Sequence, residues 1–246
     1  MQIVPVLDIL GKVVVRGYKG ERNRYRPVTS KIIESPDPVH VARVVLQITG
    51  SKDMYVADLD ALQNKGDNLD ILKDVQSKTG ATLWIDAGTG KAGQVDALLR
   101  KVPDCKAVIG SETLETAEDF YRISSDCPGK RMIFSLDIKR GIPLTPEDSP
   151  FRNKSVEEGV QLLAKNGWKE VILLTLDGVG TGKGLPTELF RRSAEIAPGV
   201  RFFAGGGLRS RNELAGLKAV GVTGVLVASA LHEQWLTEKD ILELEA

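Results

Sequence analysis

WIDAGTGKAGQVDALL, residues 84–99, and FFAGGGLRSRNELAGL, residues 202–217, follow one plan. Each opens on a short apolar run, turns through glycines and continues as an amphipathic stretch, which is a strand–loop–helix unit. Gly88 and Gly206 stand 118 residues apart, and so do Gly110 in VIGSETL and Ala228 in LVASALH. Upstream, Asp60 of VADLD and Asp177 of LLTLD lie 117 apart, and Asp8 of VPVLDILGKVVV and Asp137 of IFSLDIKRGIPL 129 apart. The second half therefore retraces the first, and the extra residues fall in the polar, basic loop 17–36.

Outward from the repeat, eight apolar runs read as strands: Ile3–Leu7, Met54–Leu59, Thr82–Ile85, Ala107–Ile109, Met132–Leu136, Val171–Leu174, Arg201–Ala204 and Val225–Ala228. Helical periodicity fills the gaps, over His40–Thr49, Leu69–Lys78, Gln94–Arg100, Ala117–Ile123, Val156–Asn166, Thr187–Glu195 and Arg211–Val220, with Leu236–Leu244 last. Capping-box starts are expected at Thr116/Asp119, Ser155/Glu158 and Ser210/Glu213. Strict β/α alternation, duplicated halves and 246 residues predict one α/β domain, a (βα)8 TIM barrel of two half-barrels, about 1–128 and 129–246. A doubly wound open sheet fits the alternation but gives no reason for the repeat.

Composition narrows the chemistry. The 33 Lys and Arg balance 33 Asp and Glu, so no global field draws the chain to nucleic acid or an anionic membrane. Two cysteines, Cys105 and Cys127, and two histidines, His40 and His232, give neither a disulfide framework nor a metal ligand set. The apolar run before Asp8 is too short for a signal segment, and no stretch nears the ~20 apolar residues of a membrane span. A cytoplasmic protein with no metal or organic cofactor is expected.

Barrel chemistry sits at the C-terminal strand ends. Asp8, Asp58, Asp60, Asp86, Asp137, Thr175 and Asp177 fall at or just past those ends. Asp8 and Asp137 end strands one and five, opposite each other across the mouth, where two carboxylates can divide base and acid roles. A strand-end Asp equally often caps a helix, but the repeat duplicates this pair. Gly205, Gly206 and Gly207, leading into a helix, sit beside Ala228 and Ser229, as a phosphate cradle requires. The counterpart, Gly88 with Gly110 and Ser111, is weaker, because Asp86 and Glu112 bring negative charge unless Lys91 compensates. GVGTGKG at 178–184 fails as a P-loop, since three residues rather than four precede Gly-Lys and no Ser or Thr follows. Arg16, Lys19, Arg22, Arg24 and Arg26, interleaved with Tyr18 and Tyr25, suit a lid over an anionic small molecule better than a nucleic-acid patch. The histidines are expected at the surface.

These motifs resemble the HisA/HisF barrels, HisA more closely, and the resemblance runs end to end through IVPVLDILGKVVVRGYKGE, YVADLDAL, IFSLDIKRG, FFAGGGLRSRNEL and VLVASALHE. It implies a cofactor-free Amadori-type isomerisation of a phosphorylated ribosyl or aminosugar substrate. Asp8 would be the base and Asp137 the opposing carboxylate, with Thr175 at the end of strand six, Asp177 nearby, and Gly205–Gly207 with Ala228 and Ser229 as phosphate grip. Three motifs depart from the family. Its first-half Gly-Gly-Gly-Ile-Arg reads Asp86-Ala87-Gly88-Thr89-Gly90, Val179 replaces an Asp before Gly180-Thr181, and Phe151 alone offers an aromatic after strand five. They imply a HisA-like paralogue, with a methanopterin-type one-carbon cofactor pathway or phosphometabolite binding without turnover as alternatives. A HisF-like lyase with a glutaminase partner finds no support in the residues.

Overall fold

The computed structural model describes residues 1–18, 21–126 and 131–245, so Lys19 and Cys127 lie outside the described residues. Eight parallel strands close on themselves: β1 (Gln2–Leu10), β4 (Asp53–Asp58), β5 (Thr82–Asp86), β6 (Lys106–Gly110), β7 (Met132–Lys139), β9 (Glu170–Thr175), β10 (Arg201–Gly205) and β11 (Gly224–Val227). Ile3 pairs with Val225, which joins the last strand to the first. The fold is the (βα)8 barrel.

Period-two alternation sorts each strand between two layers. Val4, Tyr55, Trp84, Val108, Ile133, Ile172, Phe203 and Leu226 point inward and fill the barrel. Their neighbours, among them Ile3, Met54, Leu83, Phe134 and Leu173, pack outward under the helices. The inward parity that carries Val4, Trp84 and Ile133 also carries Asp8, Asp86 and Asp137, so three carboxylates end inside the mouth. The opposite end is closed by polar contacts: Trp84 Nε1 and Gln2 Nε2 donate to Asp53, and Lys106 and Arg201 both reach Glu170.

The helices are α1 (Pro38–Thr49), α3 (Leu69–Thr79), α4 (Ala92–Lys101), α5 (Ala117–Asp126), α6 (Val156–Lys165), α7 (Thr187–Ile196), α8 (Arg211–Ala219) and α10 (Glu238–Glu245), with single turns α2 (Leu59–Leu62) and α9 (Ser229–His232). Ser155 and Glu158 form the expected reciprocal cap, and Thr116 Oγ1 accepts from the Asp119 amide at 3.1 Å. Ser210 makes no cap; Glu213 reaches the amide of Arg209 instead, at 3.2 Å.

Three short antiparallel strands extend the barrel. β2 (Val13–Arg16) folds back on β1, β3 (Arg26–Pro27) on β2, and β8 (Ile142–Pro143) on β7. A hairpin thus follows strand one of each half, and the same acid holds each turn. Gly11 N donates to Asp60 Oδ2 at 2.7 Å and Arg140 N to Asp177 Oδ2 at 2.6 Å.

Phe134 packs outward against Phe120, Phe151 and Trp168, with ring centroids 6.2, 5.1 and 5.1 Å away. Phe134→Ala empties the centre of this cluster and is expected to cost about 3–5 kcal/mol, read as a lower urea midpoint.

Candidate active site

A cavity of about 320 Å³ opens at the C-terminal mouth. Asp8, Asp86, Glu112 and Asp137 line it, with Tyr55 on the floor and Gly206, Gly207 and Ser229 on the second-half wall. Thr175, Asp177, Gly88, Gly110 and Ser111 are not among its lining residues.

A missing side chain makes room for Asp8, whereas at Asp137 the spacing is an ordinary contact. A Cβ on Gly17 would stand 2.7 Å from Asp8 Oδ2, and one on Gly110 would stand 3.6 Å from Asp137 Oδ2. Asp137 is held firmly: Ser135 Oγ donates to its Oδ1 at 2.8 Å, and its amide donates to Ser111 Oγ at 3.0 Å. Ser111 Oγ in turn donates to Leu144 O.

Tyr55 was not singled out from sequence, although its place two residues before inward-facing Ala57 carries the signal. It is 5% exposed and donates to Asp86 Oδ2 at 3.0 Å. Burial, then the negative charge of Asp86, Asp137 and Asp8, pushes its phenol well above the usual tyrosine range. A neutral hydrogen-bond donor therefore sits at the centre of a ring of carboxylates.

The acids of the opposite parity have structural partners. Asp58, fully buried, accepts from the amides of Ala61 and Asn68 and from Asn68 Nδ2. Asp60 and Asp177 hold the hairpin turns. Thr175 Oγ1 donates to the carbonyls of Gly205 and Gly206 at 3.0 and 3.1 Å, tying β9 to the glycine loop.

That loop is built on close backbone approach. A Cβ on Gly206 would stand 2.1 Å from Thr175 O, and one on Gly207 2.2 Å from Gly178 O, both at positive φ. Among the described residues, the amides of Gly206, Gly207, Leu208, Ser229 and Ala230 carry no intramolecular acceptor. Free N–H groups converging on one wall can receive an anion. Arg16 and Lys139 also line the cavity, Arg16 paired with Glu233 at 2.5 Å.

Two expectations change. Phe151, the sequence's aromatic candidate, is 1% exposed within the outer aromatic cluster and is absent from the cavity wall. His232 is buried, lines the cavity, and sets Nδ1 3.3 Å from Ser30 Oγ. Burial, then the nearby Arg16 cation, lowers its pKa to about 4. The unfolded chain takes up this proton below about pH 6.5, whereas the native protein resists it until about pH 4. Stability from this group is present above pH 6.5 and is lost on acidification towards pH 4, by up to about 3 kcal/mol. Urea midpoints at pH 7 and 4.5 are expected to differ less in His232→Gln than in the parent.

Residues 2–237 match the sequence profile of the histidine biosynthesis protein family. An uncharacterised protein of Methanocaldococcus jannaschii is 29% identical over 246 residues, covering 100% of this chain and 96% of that one. The 1-(5-phosphoribosyl)-5-((5-phosphoribosylamino)methylideneamino) imidazole-4-carboxamide isomerases of Listeria monocytogenes and Methanosphaera stadtmanae are each 26% identical, over 246 and 245 residues. The match covers 100% of this chain in both cases, and 98% and 100% of those isomerases. With its duplicated half-barrel motifs and paired strand-end aspartates, the chain belongs to the histidine biosynthesis protein family, the HisA/HisF barrels.

Proposed function

We propose that this protein is an isomerase that moves protons within a phosphorylated aldose or aminoaldose, using Asp8 and Asp137 and no organic cofactor. The observation that carries the proposal is the sharing of one cavity by both aspartates and the open amides of the 206–208 and 229–230 loops. The phosphate docks on those amides, where glycines admit it to the backbone and the start of α8 adds positive potential. This anchoring fixes the sugar between the two carboxylates.

Asp137 is the acid: it gives a proton to the ring oxygen as the C1–O bond breaks and the nitrogen lone pair forms C1=N, leaving an open-chain iminium ion whose C=N pair returns to nitrogen in the next step. Asp8 is the base: it removes the C2 proton, and the electron pair forms the C1–C2 double bond of an enolamine. Asp8 returns a proton to C1 and the C2 hydroxyl proton goes to Asp137, giving the aminoketose and restoring both carboxyl groups, so the atoms balance without an oxidant or reductant. Tyr55, held neutral, donates to Asp86 and keeps the floor of the site polar. Asp177, tied to the Arg140 amide, is left out of the proton transfers.

Incubation of the purified protein in D2O with a panel of N-substituted phosphoribosylamines, followed by NMR, tests this. Aldose-to-ketose conversion with deuterium at C1 is expected for a member of the panel. Phosphate binding with no exchange and no conversion across the panel would contradict the enzyme assignment.

A further inference from the structure

The two halves repeat the glycine loop, but they do not leave the same groups open. In the first half, Gly88 N donates to Asp86 Oδ1 at 3.3 Å, and Gly90 N and Lys91 N both donate to Gln94 Oε1 at 3.1 Å. Ser111 N donates to Ser135 O at 2.8 Å, because β6 and β7 stay zipped through Gly110 and Ser135. Its hydroxyl is spent on Leu144 O and the Asp137 amide. At the matching places in the second half, Arg209 N still donates to Glu213 Oε2 at 3.2 Å. Gly206, Leu208 and Ser229, however, have no such partners among the described residues, Ser229 because the β1–β11 pairing stops at Pro5 and Val227.

Space and charge agree with the hydrogen bonds. Leu62 sits over the first loop, with its Cα and Cδ2 each 3.5 Å from where a Cβ on Gly88 would stand. The cavity reaches Leu62, Asp86 and Glu112 but not Gly88 or Ser111. A phosphate arriving from the cavity would meet two carboxylates and an apolar side chain before any amide.

We infer that the site takes a substrate with a single phosphate, and that Asp86, Gln94 and Leu62 close the first-half loop to a second one. The inference rests on the proposed phosphate grip at 206–208 and 229–230, and it adds the substrate class: a monophosphate whose far end is neutral or cationic. Asp86 and Gln94 are then specificity-determining residues, their side-chain oxygens occupying the amides that a second phosphate would need.

Isothermal titration of the intact protein with ribose 5-phosphate and with ribulose 1,5-bisphosphate tests this. The expected result is binding of both, with the bisphosphate less than fivefold tighter, as for a ligand engaging one phosphate at a time. A bisphosphate advantage of fivefold or more would overturn the inference while leaving the second-half grip intact. Failure of both probes to bind would overturn the grip itself and the inference with it. Asp86→Asn/Gln94→Ala, which removes the charge and frees the Gly90 and Lys91 amides, is expected to move the ratio towards the bisphosphate at least tenfold. An unchanged ratio would refute the role given to the two side chains.

Discussion

Asp8→Asn is expected to lower turnover about 10²–10⁴-fold, the usual contribution of a positioned general base. The amide is isosteric with the carboxylate, so it fits the space left by Gly17, where a Cβ would stand 2.7 Å from Oδ2. Affinity for ribose 5-phosphate is expected to hold within about threefold, because the proposed phosphate grip is at Gly206–Leu208 and Ser229, away from Asp8. A loss in kcat with phosphate binding retained marks a group that acts on the transition state. Unchanged turnover would remove Asp8 from the proton transfer, and equal loss of both quantities would make it a scaffold residue.

Gly206→Ala is the second large effect. The new methyl would stand 2.1 Å from Thr175 O and 2.4 Å from Thr175 Oγ1, at a φ of +107°. Backbone strain alone is worth about 1–3 kcal/mol, and relief by movement of the loop would turn its amides away from the anion. The expected outcome is a lower urea midpoint and at least a ~100-fold loss of ribose 5-phosphate affinity, about 2.7 kcal/mol. Gly216→Ala is the control: it lies within α8, nothing stands within 4 Å of its Cβ position, and φ is not positive. There the substitution is expected to stabilise by about 0.5–1 kcal/mol through lower unfolded-chain entropy. Loss of binding in both variants would point to the helix rather than the loop.

The barrel was legible because parallel strands buried on both faces read as short continuous apolar runs alternating with helical stretches, and because the repeat marks the same loops twice. Parity also explains which aspartates reach the cavity. Asp8, Asp86 and Asp137 share the inward phase of Val4, Trp84 and Ile133, whereas Asp58 follows outward-facing Met54 and Val56 and caps a helical turn. The hairpins β1–β2 and β7–β8 were harder to see, because β8 is two residues long and its turn is held by an acid from another loop. The structural partner of Asp177 was hidden for the same reason: it is a backbone amide 37 positions away.

Tyr55 shows where local patterns fall short. An apolar-looking strand residue becomes part of the site only when β1, β5 and β7 bring three carboxylates around it. The state of the two glycine loops lies equally beyond motif reading. Both carry glycine and both precede a helix, yet Gln94 and one further rung of β pairing fill the first while the second stays open.

Crystals of the protein soaked in ribose 5-phosphate give the most direct test of the account. The phosphate is predicted on the amides of Gly206–Leu208 and Ser229, with the sugar between Asp8 and Asp137. A phosphate seated instead on Gly88–Lys91 and Ser111, or a sugar lying outside the mouth, would contradict it.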